Sequence, residues 1–381
     1  MIFLAVPNLT GNEKKYLDNC IETTFVSSVG EYVTRFESMV AKATGSDYAV
    51  ATSAGTTGLH AALTAVGVKH GELVIIPTFT FIASANAVAH CGAEPWCMDI
   101  SADDWCLDPK IVRQEMNRYC EKKGSILIHK PSGKRVAAIM PVYTLGNIPD
   151  MSLFRSIADE YELPLVVDAA CAIGAEYNQQ PFGKLADVSV LSFNGNKTIT
   201  CGGGGAVVGN NKELLNLVRH LTTTARVWPD YDFDMVGFNY RMTNVQAAVG
   251  CAQMECLDDF VKTKRWVRIY YKEALNGKGD FSFFPHTEGS SCWFSGIVLP
   301  VSATLKDTKY ICDELKKRDI EARPFWKPVH LQKPYRSSPR GKVSVAESLW
   351  ERIITLPCST NITEEEMQKV KSVLCLVFFQ Q

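Results

Sequence analysis

The sequence predicts an α/β protein: a large, mostly parallel seven-stranded sheet domain over residues 1–250 and a smaller α+β domain over 251–381. Two observations lead there. Short apolar runs alternate with amphipathic stretches through the first two-thirds of the chain, and the texture changes from about Asn244. The length, 381 residues, suits two domains.

Seven runs read as strands: Tyr48–Thr52, Leu73–Pro77, Glu94–Ile100, Val136–Tyr143, Leu163–Asp168, Val188–Phe193 and Gly205–Gly209. Between them Phe36–Ala43, Thr57–Val66, Ile82–His90, Met151–Tyr161 and Lys212–Leu221 carry apolar residues at helical spacing. Such alternation suits a parallel sheet covered on both faces, whose ligands sit beyond the carboxyl ends of the strands. Residues 124–135, with Gly124, Gly133 and four basic side chains, read as an exposed insertion. From Asn244 a long helix is expected to bridge into the second domain. There Phe281–Phe284, Trp293–Pro300, Thr308–Arg318 and Glu364–Leu374 supply the elements.

Composition narrows the function. Forty Lys and Arg stand against 41 Asp and Glu, a formal net charge of −1, which argues against a sequence-blind nucleic-acid binder. Residues 2–7 reach proline too early for a signal peptide. The apolar runs fall short of the ~18–20 residues of a spanning helix, so no membrane partner is expected. Thirteen scattered cysteines without a Cys-x-x-Cys pair fit a reducing, cytoplasmic setting. No Cys/His cluster has the spacing of a metal site.

Four features lie at expected strand ends. Asp168 closes the run that starts at Leu163; an acid there can hold a ligand at the sheet edge or simply cap a helix. Lys197 lies in a polar, glycine-rich loop four residues past Phe193, where an amine can form a Schiff base with an aldehyde. The stretch from Thr52 through Ser53, Gly55, Thr56, Thr57 and Gly58 opens a helix, as an anion site or an ordinary N-terminus would. Phe79 and Phe81 follow a fourth strand end. The glycines Gly202–Gly205 fit neither the dinucleotide fingerprint nor a phosphate loop, which weakens a nicotinamide-dependent dehydrogenase. Together, an acid for a ring nitrogen, an amine for an aldehyde and a helix start for a phosphate match the needs of pyridoxal 5′-phosphate.

The chain resembles the sugar aminotransferases of the DegT/DnrJ/StrS family, which are fold-type-I pyridoxal-phosphate enzymes. The resemblance spans nearly the whole chain. It is carried by Phe25–Gly30, Ser53–Thr57, Pro77–Asn86, Val167–Ala170, Ser192-Phe193-x3-Lys197, Gly202–Gly205 and Asn239–Ala248. Ser192–Lys197 followed by His220–Arg226 is most similar to the legionaminic/bacillosamine subgroup. That subgroup aminates C4 of a UDP-linked 4-keto-6-deoxy-N-acetylhexosamine. The resemblance implies that Lys197 binds the cofactor aldehyde and shuttles the proton, through a pyridoxamine 5′-phosphate form. Asp168 would pair with the ring nitrogen, and Ser192, Gly55, Thr56 and Thr57 would hold the phosphate. Phe81 would stack on the ring, and Cys171 would stand where relatives place a stronger polar group. Asn244 would reach the phosphate from a partner subunit, so a homodimer with shared sites is expected. Glutamate is the expected donor, and Ser28, Arg226 and His330 are candidate substrate contacts. Other readings within the resemblance are a sugar dehydratase, a 3-keto-sugar aminotransferase and a non-catalytic regulatory protein.

Overall fold

The computed structural model describes residues 1–124, 126–227 and 229–379. Seven strands among the described residues form the main sheet: β1 Tyr48–Thr52, β2 Leu73–Pro77, β3 Glu94–Met98, β4 Lys134–Ile139, β5 Val166–Asp168, β6 Val188–Ser192 and β7 Gly205–Gly209. Their order is β1-β7-β6-β5-β4-β2-β3, with β4 and β5 joined through the Ile139–Leu165 and Val142–Asp168 bridges. Only β7 runs antiparallel to its neighbours, as the mostly parallel expectation requires.

Both faces are buried, and the two-residue strand period divides them. Leu73 and Ile75 of β2 and Ala206 and Val208 of β7 join one core. Val74, Ile76 and Val207 join the other. Helices α1 (Glu13–Glu22) and α2 (Glu31–Thr44) lie with α8 (Asn244–Glu255) on the first face. The opposite face carries α3 (Gly55–Ala65), α4 (Ile82–His90) and α7 (Lys212–Thr222). Helices α5 (Pro109–Tyr119) and α6 (Met151–Tyr161) complete the first core. Asp108 accepts the Lys110 N–H at the start of α5, and Asp150 accepts the Leu153 N–H at the start of α6.

The expected exposed insertion is corrected. Cys120–Lys123 and Ile126–His129 pair antiparallel, and His129 pairs onward with Lys134 of β4. The charged residues face outward, while Leu127 and His129 are buried and the His129 ring lies 4.4 Å from that of Trp96.

The expected bridging helix is two helices that meet at Cys256, α8 and α9 (Leu257–Ala274). The expected domain boundary at residue 250 falls inside α8, whose Cys251 and Ala252 still belong to the first core. A third core gathers Val267 and Tyr271 of α9, the antiparallel strands β8 (Ser282–Phe283), β9 (Ser295–Val298), β10 (Arg323–Pro324) and β11 (Ile353–Leu356), and helices α10 (Leu305–Lys316), α11 (Ser344–Leu349) and α12 (Glu364–Phe379). Ile2 and Leu4 join this core: Ile2 bridges to Ile320, and Leu4 O accepts the Cys358 N–H at 2.8 Å. Among the described residues, no helix is long and apolar enough to cross a membrane.

Candidate active site

The carboxyl ends of β1, β2, β5 and β6 open on one cavity of about 470 Å³. It is lined by Gly55, Thr56, Phe81, Asp168, Cys171, Ser192 and Lys197, so the sheet brings seven of the expected residues together. The small domain adds Trp293, Phe294, Arg323, Phe325 and Trp326, and Leu4 comes from the first residues.

Asp168 ends β5 and is buried. Its Oδ2 accepts from Ser84 Oγ at 2.6 Å and its Oδ1 from the Ala170 N–H at 3.0 Å. Burial raises its acid above the ordinary carboxyl range, while these two bonds and the charge of Lys197 oppose the shift. A buried carboxylate with neutral hydrogen-bond donors is suited to receive a cation.

Lys197 leaves β6 on a loop tied by the Cys201 N–H to Phe193 O at 2.9 Å and by its own N–H to Asn194 O at 3.0 Å. Its Nζ donates to Cys171 Sγ at 3.3 Å and stands 3.9 Å from the ring centroid of Trp293. Burial pushes the Cys171 thiol up to about 11, against the pull of Lys197. Cys171 therefore offers a protonated, weakly polar sulfur at neutral pH.

Helix α3 is preceded by Ala54, which has no side-chain oxygen to cap the first amides. Gly55 sits so close to β6 that a Cβ there would lie 2.8 Å from Ser192 Cβ. That leaves the Ser192 hydroxyl beside an open helix N-terminus, the donor set an anion needs. Thr57 is not part of the lining; its hydroxyl accepts the Ala54 N–H at 3.0 Å and fixes the turn behind it. Phe81, the residue before α4, presents a half-exposed ring to the cavity. An uncapped helix start, a buried acid, an amine and a free aromatic face fit pyridoxal phosphate in all its parts.

Four expected residues lie elsewhere. Asn244 is buried under the segment before α2: Nδ2 donates to Phe25 O at 2.7 Å and Oδ1 accepts the Tyr32 N–H at 3.1 Å. Its amide holds its own subunit's backbone, outside the lining of this cavity. The exposed polar side chains of that motif are Asn239 and Arg241. His330 is also buried, between Thr78 Oγ1 at 2.5 Å and Glu347 Oε1 at 3.1 Å, so it braces the turn after β2 rather than facing a substrate. Arg226 bonds the Asp230 and Pro229 carbonyls within its own ribbon and stacks over Tyr231. Ser28 lies on the segment above Asn244, away from the cavity lining.

The aromatic wall escaped the sequence reasoning because it arrives from about 100 residues beyond Lys197. In the sequence Trp293 and Phe294 only open the Trp293–Pro300 run, one element of the small domain. The Arg323–Trp326 run carries a signal, an arginine beside aromatics, but nothing local ties it to the sheet.

Fold and site together define a pyridoxal-phosphate enzyme built on a doubly covered α/β sheet. Comparison with known proteins makes this specific: the chain belongs to the DegT/DnrJ/EryC1/StrS aminotransferase family, whose model matches residues 7–374. It is a pyridoxal-phosphate-dependent nucleotide-sugar aminotransferase. It is 35% identical over 381 residues to a GDP-perosamine synthase of Caulobacter vibrioides, covering 98% of this chain and 97% of that one. It is 28% identical over 354 residues to the UDP-4-amino-4,6-dideoxy-N-acetyl-beta-L-altrosamine transaminase of Campylobacter jejuni, covering 91% and 89%. Among solved structures, a putative sugar aminotransferase of Streptococcus pneumoniae in its pyridoxamine form shares the fold, with a TM-score of 0.88 at 21% identity over 99% of both chains.

Proposed function

We propose that this chain moves the amino group of glutamate to the C4 ketone of a nucleotide-linked 4-keto-6-deoxyhexose, as a cytoplasmic homodimer with shared sites. The observation that carries this reading is the meeting of Lys197, Asp168 and the open start of α3 in one cavity. When bound, pyridoxal phosphate supplies an aldehyde for the amine and a ring that draws electrons from the substrate carbon.

The protein's own groups do the rest. Asp168, held by Ser84 and Ala170, faces the ring nitrogen and keeps a proton there. Ser192 and the first amides of α3 take the phosphate, with the helix dipole adding attraction. Thr57 acts one step back, through Ala54. Phe81 covers the ring. Lys197 Nζ takes the proton from the donor carbon and returns it on the other side of the reaction, as general acid–base work requires. The small-domain wall of Trp293, Phe325 and Trp326 keeps water from these steps.

The UDP-linked N-acetylhexosamine reading rests on the Ser192–Lys197 and His220–Arg226 resemblance, and the name of the Campylobacter relative supports it. A GDP-linked sugar is the second reading, favoured by the name of the more similar Caulobacter relative. The cavity aromatics Phe81, Trp293, Phe294, Phe325 and Trp326 serve either base. Visible absorbance of the purified holoenzyme should bleach with glutamate and yield 2-oxoglutarate. A panel of UDP-, GDP- and dTDP-linked 4-keto-6-deoxy sugars then decides the acceptor. Lys197→Ala should lose the visible band and the turnover; wild-type turnover in that variant sinks the reading, and turnover with GDP-linked sugars alone selects the second.

A further inference from the structure

The indole of Trp293 does two things at once. Its face stands 3.9 Å from Lys197 Nζ, and its Nε1–H donates to Asn196 O at 2.8 Å. One side chain thus grips both the amine and the backbone of the residue before it. Cys171 Sγ meets the same amine at 3.3 Å.

The segment that delivers this ring is held from several sides. Ser291 Oγ donates to Cys171 O at 2.8 Å, so the same strap also fixes the second neighbour of the amine. The Trp293 N–H donates to Leu145 O at 3.0 Å. Arg265 Nε donates to Ser290 O at 3.0 Å. Cys292 adopts φ +52°, in the left-handed region that few non-glycine residues enter. Such backbone persists where surrounding contacts over-determine it, often at working sites.

We propose that Trp293 is the positioning residue of Lys197: its ring face seats the amine whenever the amine is free. The inference rests on Lys197 being the cofactor lysine. Borohydride fixation of the holoenzyme and peptide mapping test that separately; fixation elsewhere would overturn the proposed function itself.

The test compares Trp293→Phe, which keeps a ring face, with Trp293→Leu, which does not. In the full chain freed of pyridoxal phosphate, acylation of individual lysines by acetic anhydride is followed by mass spectrometry. Lys197 should label about 3–10-fold faster in Trp293→Leu than in wild type, the range a ring–ammonium contact supports. Trp293→Phe should stay within about twofold. Lys264, buried in the small domain, is the internal control and should not change. In the reloaded holoenzyme, Trp293→Leu should slow the limiting rate of the glutamate half-reaction about 3–10-fold while half-saturating glutamate holds. Fixation at Lys197 combined with wild-type labelling in Trp293→Leu overturns the seat. So does a parallel rise at Lys264, which marks general loosening, or equal losses in the two variants, which show that the ring is not the cause.

Discussion

Gly205 offers a sharp test of how the phosphate end is built. It faces Thr52 of β1 and Ser192 of β6 in the sheet register, and α3 begins directly behind it. A Cβ at Gly205 would stand 2.6 Å from Gly55 N and 2.7 Å from Ala54 O. Side-chain carbons essentially never approach closer than 3.0 Å. Gly205→Ala therefore forces the start of α3 to move by at least 3.0 − 2.6 = 0.4 Å. Both colliding atoms are backbone, so no rotamer change relieves the contact. Overpacking of this kind costs about 1–3 kcal/mol of stability. The displaced amides are the ones assigned to the phosphate, so cofactor affinity should fall about tenfold, or ~1.4 kcal/mol. Two residues away, a Cβ at Gly203 would meet Gln246 Nε2 at 3.4 Å, an ordinary contact. Gly203→Ala should bind pyridoxal phosphate like wild type. Titration by visible absorbance and thermal melting of the cofactor-free chains measure both effects. Wild-type affinity and melting in Gly205→Ala, or equal damage in Gly203→Ala, would refute the reasoning.

Three further outcomes follow from the site. Burial raises the Asp168 acid, so its contribution to stability is full below the ordinary value of 3.8 and is lost as pH rises through the raised one. Cofactor-free Asp168→Asn should melt above wild type at pH 7, lose that advantage near pH 4, and fail to transaminate; equal melting at pH 7 counts against the burial argument. With its pKa near 11, the Cys171 thiol stays protonated, so iodoacetamide at pH 8 should leave activity intact. Rapid inactivation that pyridoxal phosphate prevents would contradict this. Asn244→Ala leaves Phe25 O and the Tyr32 N–H without their partner, so denaturant unfolding should show a loss of about 1–3 kcal/mol. Cofactor affinity should hold; a weakened affinity in a chain of normal stability would return Asn244 to the phosphate.

Legibility in the sequence tracked how locally each feature is determined. Helices α4 and α6 and strands β1, β2 and β7 occupy the expected spans, because an apolar run or a helical period marks each from within. The paired strands Cys120–Lys123 and Ile126–His129 hid because the first is charged and exposed beyond Cys120, while in the second only the alternate positions Leu127 and His129 are buried. Helix α1, with only Glu13, Tyr16 and Cys20 buried, has too little apolar stripe to announce itself. In the site, Lys197, Asp168 and Ser192 were legible since each ends or follows a buried strand. Asn244 and His330 carried the right chemistry, but only tertiary packing decides which way an amide or imidazole points. Trp293 had no local signal at all: its partners, Lys197 and Asn196, lie about a hundred positions earlier in the chain.

The seating of residues 2–6 on the small domain sets an order of assembly. Leu4, part of the cavity wall, is bonded through its N–H to Glu321, 317 positions later, and Val6 through its N–H to Ser359, 353 positions later. At ~5–20 residues per second, ribosomal synthesis reaches Glu321 roughly 16–63 s after Leu4 has been made. Through that interval the main sheet can close while one side of its ligand cavity is still missing. A nascent or truncated chain that ends before Trp293 would therefore carry the lysine and the acid without the wall that shields them.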